Sequence, residues 1–447
     1  CALFLANDPG FSLLWLPGFG AYLELAPTGA SGVLVLAAAL TMIPTSLYAG
    51  VRVAERPWHF LALLNVFQAS LNGLFLAKDL VIFYLFWEAT LSPSLLLLGI
   101  WGGPQRRQAA FKYLLYAVAG SFLMLVAILA LRPLSGAASY RFADLLAATP
   151  TLDLRTQVWL FLGFAAAFAV KLPLWPLHGW LMDFHEQNHP SGAADAAGTL
   201  YKVGAFGFFA WALPLLPDAA RVMGPALLAL AAFTALYGAL IAVAQSNFKR
   251  LLAYASLSHM GMIGVGVFGL HLAGLSGAMY FLAAQMLSTG GLFLIGGMLH
   301  ARRGTFELSG YGGLARSAPA LAAVTLLVIF ASVGVPGLGN FPGEFMSLLG
   351  GFQANPWLVG LLATPAVIAA GVYGVNLYQR LYQGEAEGAV ADLRGLEPFV
   401  LAPILAGILW LGLAPAPQLE RIEPQARLAS GVPLASPAPL QRAEETP

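Results

Sequence analysis

The chain has 447 residues, of which 59% are hydrophobic and only 10% are charged, against roughly 25% charged in an ordinary soluble domain. A net charge of +1 and a single cysteine, Cys1, point away from nucleic acid and acidic partners and exclude cysteine-ligated clusters or disulfides within the chain. No Walker or dinucleotide glycine motif is present, so ATP-driven or NAD-binding work by this chain alone is not expected.

Several apolar runs reach the roughly 20 residues that cross a bilayer as a helix, and they are too long and too poor in alternation for a β-barrel. The opening C-A-L-F-L-A reads as the tail of a truncated helix, with neither a signal peptide nor a lipobox at Cys1. Twelve spans are then predicted, near 29–50, 59–77, 79–101, 109–131, 157–182, 191–214, 222–244, 251–269, 272–300, 317–350, 356–382 and 397–415. Residues 1–415 thus form one all-α polytopic membrane domain, and 416–447, rich in Pro and Glu, is predicted to be weakly ordered.

Loop charges test this map. Twelve basic residues, among them Arg52, Arg106, Lys249, Arg302 and Arg394, fall on one set of alternate loops. Five fall on the other set: Lys78, Arg132, Arg141, Arg155 and Arg221. The positive-inside rule assigns the richer set to the cytoplasm of a bacterial inner membrane and places the C-terminus on the periplasmic side.

Two spans are interrupted, by L-P-L-W-P-L-H-G at 172–179 and by G-V-P-G-L-G-N-F-P-G-E at 334–344. Proline removes a helical hydrogen bond and clashes with the preceding turn. At membrane depth such breaks are tolerated only inside protein or along a cavity, and a matched pair in two halves is the pattern of inverted-repeat transporters.

Intramembrane charge marks the candidate site. The chain has seventeen arginines but only five lysines, yet the two basic residues deep in apolar helices, Lys171 and Lys202, are both lysine. An ammonium can shed its proton when desolvated, whereas a guanidinium effectively cannot. Lys202 lies about eleven residues into its span, roughly 16 Å along the axis, near mid-bilayer. Glu88 is nine residues into 79–101 and Glu344 follows the second break. A Glu88–Lys171 pair would act as a proton switch, although the same residues also fit a static ion pair. His178 in the first break and His259 inside a helix are candidate relays. His185 and His189 flank a cytoplasmic loop and are predicted to be solvated. Asp195 is placed either to tune Lys202 or to cap the helix entry. No histidine pair has metal-ligand spacing, so no metal is expected.

Five blocks then resemble a known family: F-W-E-A-T-L-S-P at 86–93, K-L-P-L-W-P-L-H-G-W at 171–180, L-Y-K-V-G-A-F-G at 200–207, K-R-L-L-A-Y-A-S-L-S-H-M-G at 249–261 and G-N-F-P-G-E-F at 339–345. Together they are similar to the antiporter-like membrane subunits of respiratory complex I, the proton-pumping NADH:quinone oxidoreductase, and most of all to its M-type. The resemblance implies fourteen helices with two inverted five-helix repeats, each holding a broken helix, of which the twelve spans here would be the third to the fourteenth. It implies that Glu88 and Lys171 form the pair of one half-channel, Lys202 the central link, and Glu344 the proton site of the other. The glutamate at 344, where related types have lysine, and the absence of a long lateral helix favour the M-type. Gln285 departs from the family, which often has histidine there, so that His259 or water would cover the gap. Met182 and Phe184 are local departures.

The resemblance therefore implies a proton-translocating subunit with no cofactor of its own, whose neighbours in the membrane arm and beyond carry FMN and iron–sulfur clusters and bind the quinone. A multisubunit sodium/proton antiporter or membrane-bound hydrogenase subunit is the alternative within the fold. A structural scaffold with static buried pairs is the alternative outside it.

Overall fold

A computed structural model describes residues 10–197, 202–385 and 388–431, with the Lys202 side chain outside the described set. It opens with a β-hairpin, β1 (Phe11–Leu16) and β2 (Ala21–Leu25), which the all-α reading did not contain. β1 is exposed along its whole length and gives no alternation to read.

Helices follow: α1 (Gly29–Arg52), α2 (Pro57–Leu76), α3 (Leu80–Trp101) and α4 (Arg106–Ser135), then the short α5 (Phe142–Ala148). Their starts follow local chemistry. Thr28 and Ser31 form a capping box on α1, and Asp79 accepts from the amides of Val81 and Ile82 at the head of α3. The first broken span is α6 (Leu154–Lys171) followed by α7 (Gly179–Gln187). A single turn, α8 (Ala193–Ala196), leads to α9, which begins as Lys202–Gly207 and continues through a π-helical turn, Phe208–Ala212.

The second half comprises α10 (Pro217–Val243), α11 (Phe248–Phe268) and α12 (Leu272–Arg303), the broken pair α13 (Pro319–Ser332) and α14 (Asn340–Ala354), then α15 (Pro356–Tyr382) and α16 (Glu397–Leu413). Eight of the described helices are long and apolar enough to span a membrane unaided. The broken and shorter ones account for the remaining predicted spans. α11 and α12 are buried over almost their whole length and form the centre of the bundle.

The tail needs correction. From Ala416 the chain forms α17 (Ala416–Ser430), bent 74° from α16. Gln418, Ile422, Ala426 and Ala429 bury one face of it. The Gln425 side chain accepts from the Ala30 amide, satisfying an orphan donor at the head of α1. Pro and Glu recur in this stretch, but the apolar 3.6-residue period decided its structure.

Candidate functional site

The first half is organised around the end of α6. Lys171 is its last residue and is 2% exposed. Gly204 lets α9 cross α6 in near backbone contact: a Cβ there would overlap the Phe168 carbonyl oxygen and come 2.9 Å from the Lys171 carbonyl carbon. The helix that begins at Lys202 is thereby pressed against the helix that ends at Lys171, a small-residue crossing of the kind bilayer helices use.

Lys171 Nζ donates to the Tyr113 hydroxyl at 2.7 Å and lies over the rings of Tyr113 and Trp87, at 5.0 and 5.9 Å from their centroids. It makes no ion pair with Glu88, contrary to the pairing read from the sequence. The reason is helical geometry: neighbours on a helix point about 100° apart, so with Trp87 facing the ammonium, Glu88 is turned aside. One Glu88 carboxylate oxygen is buried with no hydrogen-bond partner among the described residues. His178 sits in the break as predicted and packs against the Tyr237 ring.

A second charged cluster was not foreseen. Asp195 does not cap the helix entry, where Gly192 stands at the cap of α8. It pairs with Lys249 Nζ at 2.8 Å, and its other oxygen meets His185 Nδ1 and accepts from Asn188 Nδ2, each at 2.8 Å. Lys249 also donates to the Asn188 carbonyl oxygen. Lys249 and His185 are 2% and 0% exposed. The solvated reading of His185 is therefore overturned, and that of His189 with it, since His189 is half-buried and bonded to Ser191. Adjacency to a charged loop misled both: the loop folds back under the head of α11. The lysine/arginine contrast held the missed signal, because Lys249 is the lysine of a Lys-Arg pair. The Lys202 side chain, the central link implied by the resemblance, lies outside the described residues.

The second half presents a buried polar seam. On α12, Gln285 bonds to His259 Nδ1 on α11 and accepts from the Thr289 hydroxyl one turn on. His259 Nε2 lies 3.0 Å from the Tyr373 hydroxyl on α15. Asn340, the first residue of α14, donates to Ser288 on α12 and to the Ser332 carbonyl oxygen, tying the two sides of the break together. Glu344 lies one turn further along α14, 5% exposed, with its carboxylate against Gly334. Gly334 has φ +74°, and any Cβ there would occupy the carboxylate's place. Glu344 makes no ion pair among the described residues, and no group of His, Cys, Asp or Glu there is arranged to hold a metal ion.

The arrangement brings buried polar and titratable side chains of both halves together inside the bundle. The transmembrane family described as NADH:quinone oxidoreductase/Mrp antiporter matches residues 77–369. NADH-quinone oxidoreductase subunit 13 of Thermus thermophilus is 46% identical over 92% of this chain and 87% of its own length. Subunit M of Rhodobacter capsulatus is 38% identical over 89% of this chain and 80% of its own. A chain in the solved structure of respiratory complex I from Thermus thermophilus with bound NADH superposes with a TM-score of 0.92 at 44% identity, covering 96% of this chain and 91% of that one. On these grounds the chain belongs to the NADH:quinone oxidoreductase/Mrp antiporter transmembrane family, as an M-type antiporter-like member.

Proposed function

We propose that this chain is a proton-translocating membrane subunit of an NADH:quinone oxidoreductase, moving protons through two half-channels while neighbouring subunits carry out the redox chemistry. The observation that carries this reading is Lys171. It is a buried lysine with no carboxylate against it, held by a phenol and two aromatic rings. A fixed structural charge at such a depth is normally paired. The unpaired placement of Lys171 supports an exchangeable charge over a fixed structural one.

In the cycle we infer, an electrostatic change arriving from a neighbouring subunit alters the protonation of Lys171. Lys202 links this half to the other, where Glu344 loads and releases. The cytoplasmic face is the one rich in arginine, which puts the C-terminal helix on the periplasmic side. Partners are the adjacent antiporter-like subunits and the lipid around them. FMN, iron–sulfur clusters and quinone belong to other chains.

Replacing Lys202 with arginine tests the switching role directly, since arginine keeps the charge and gives up the titration. NADH oxidation and assembly should persist while proton uptake into proteoliposomes falls to background. Undiminished pumping by Lys202→Arg would remove the basis of the proposal.

A further inference from the structure

One end of the bundle carries basic side chains that the proton path does not use. α1 ends at Arg52 and α16 begins at Glu397, and the two helices pack against each other. At that junction lies a pocket of about 310 Å³, lined by Tyr48, Val51, Arg52, Arg394, Leu396 and Glu397.

Its charge is unbalanced. Both oxygens of the buried Glu397 are already taken, by Arg302 at 2.6 Å and Arg52 at 2.8 Å. Arg394 adds a third guanidinium, exposed and without an ion-pair partner among the described residues. The nearby Asp392 is engaged elsewhere, accepting from the backbone amides of Ala320 and Leu321. Within the pocket wall, the buried Tyr48 ring lies under the Arg52 guanidinium and holds it in place. Guanidinium groups gathered at one pocket mouth suit the oxygens of a phosphate.

The pocket also opens onto an apolar track. Ile43, Leu47 and Val51 recur at intervals of four on α1 and are 65%, 54% and 71% exposed. They form one stripe running from the pocket towards the middle of the bilayer. A free anion would need the arginines and have no use for the stripe. A phospholipid needs both, and basic pockets between transmembrane helices are where anionic headgroups settle. We propose that this junction is a binding site for an anionic phospholipid, its phosphate held by Arg394 and Arg52 and one acyl chain lying along Ile43, Leu47 and Val51.

The test places the chain, with the subunits that co-purify, in phosphatidylcholine nanodiscs containing a trace of phosphatidylglycerol with a photoreactive acyl chain. Cross-links are mapped by mass spectrometry. Labelling is expected on the peptide carrying Ile43 to Val51. It should fall about fivefold in Arg394→Gln, as expected for one lost cation near a charged membrane surface, fall further in Arg52→Gln/Arg394→Gln, and persist in Arg394→Lys. Because the Arg394 side chain is exposed and unpaired, its loss leaves the fold intact. Four results would each overturn the proposal: equal labelling of Arg394→Gln and wild type, equal labelling by a photoreactive phosphatidylcholine, displacement by inorganic phosphate alone, or protection of the stripe by a cross-linked neighbouring subunit.

Discussion

Gln285 on α12 hydrogen-bonds to His259 on α11, so the position where the seam lacks a titratable group is wired directly to one that titrates. The Thr289 hydroxyl donates to the Gln285 oxygen, which turns the amide nitrogen towards His259 Nδ1. His259 then presents Nε2 to the Tyr373 hydroxyl. Glutamine cannot carry a proton as charge, but it fixes which imidazole nitrogen is protonated.

Gln285→Leu should therefore stop proton uptake per NADH oxidised in proteoliposomes. It also takes away the Gln285 contact of His259 and of the Thr289 hydroxyl, at about 1–3 kcal/mol of stability for each buried hydrogen bond lost. Gln285→His should keep pumping, since it restores a titratable contact at the same point. If the leucine variant pumped like wild type, the route to Glu344 would not pass through this contact.

The Asp195–Lys249 pair makes a different demand. Both charges are buried, and removing one partner of such a pair costs about 3–5 kcal/mol because the other is left uncompensated. Lys249→Met and Asp195→Asn should each sharply lower the yield and melting temperature of the assembled complex. The double variant should recover much of the loss, because no charge is then stranded. Strictly additive single effects, measured as a double-mutant cycle, would show that the two residues do not stabilise each other.

These residues show where sequence reading succeeds and where it stops. The helix breaks at 172–179 and 334–344 were legible because proline and glycine act locally. The burial of Lys171 and Glu344 was legible because both lie within or beside long apolar runs. Azimuth was not: Glu88 and Trp87 are adjacent in sequence, and which of them faces Lys171 is set by packing around the helix. The burial of His185 and Lys249 was hidden for a related reason, since a loop that folds back beneath a helix leaves no periodic trace. α17 was lost to composition, its period of apolar residues being short and interspersed with proline.

Lys78, in the turn between α2 and α3, supplies a prediction in pH. Burial pushes its ammonium down to about 8, with the Glu24 carboxylate opposing the shift. A lowered lysine means that the folded state gives up its proton first. Between about pH 8 and the unfolded value near 10.5 the unfolded state therefore holds more protons, and stability rises with pH. Below that window both states are charged and the burial penalty is fully present. Melting curves of wild type and Lys78→Met, compared from about pH 7 to about pH 10, should show the rise in the first and its loss in the second. An identical slope in both would assign the effect to another group.

The α6–α9 crossing depends on Gly204. A Cβ there would sit 2.5 Å from the Leu172 nitrogen, so the neighbours that must yield are backbone atoms and not flexible side-chain ends. Gly204→Ala should cost about 1–3 kcal/mol as overpacking, despite alanine being the better helix former. It should also cut pumping more than assembly, because forcing the helices apart shifts the start of α9 relative to Lys171. Gly99 on α3 is the matched control, with nothing within 4 Å of a built Cβ, and Gly99→Ala should melt at or slightly above the wild-type temperature. Should Gly204→Ala instead match Gly99→Ala in both melting temperature and proton uptake, the crossing does not set the relation between the two lysine-bearing helices.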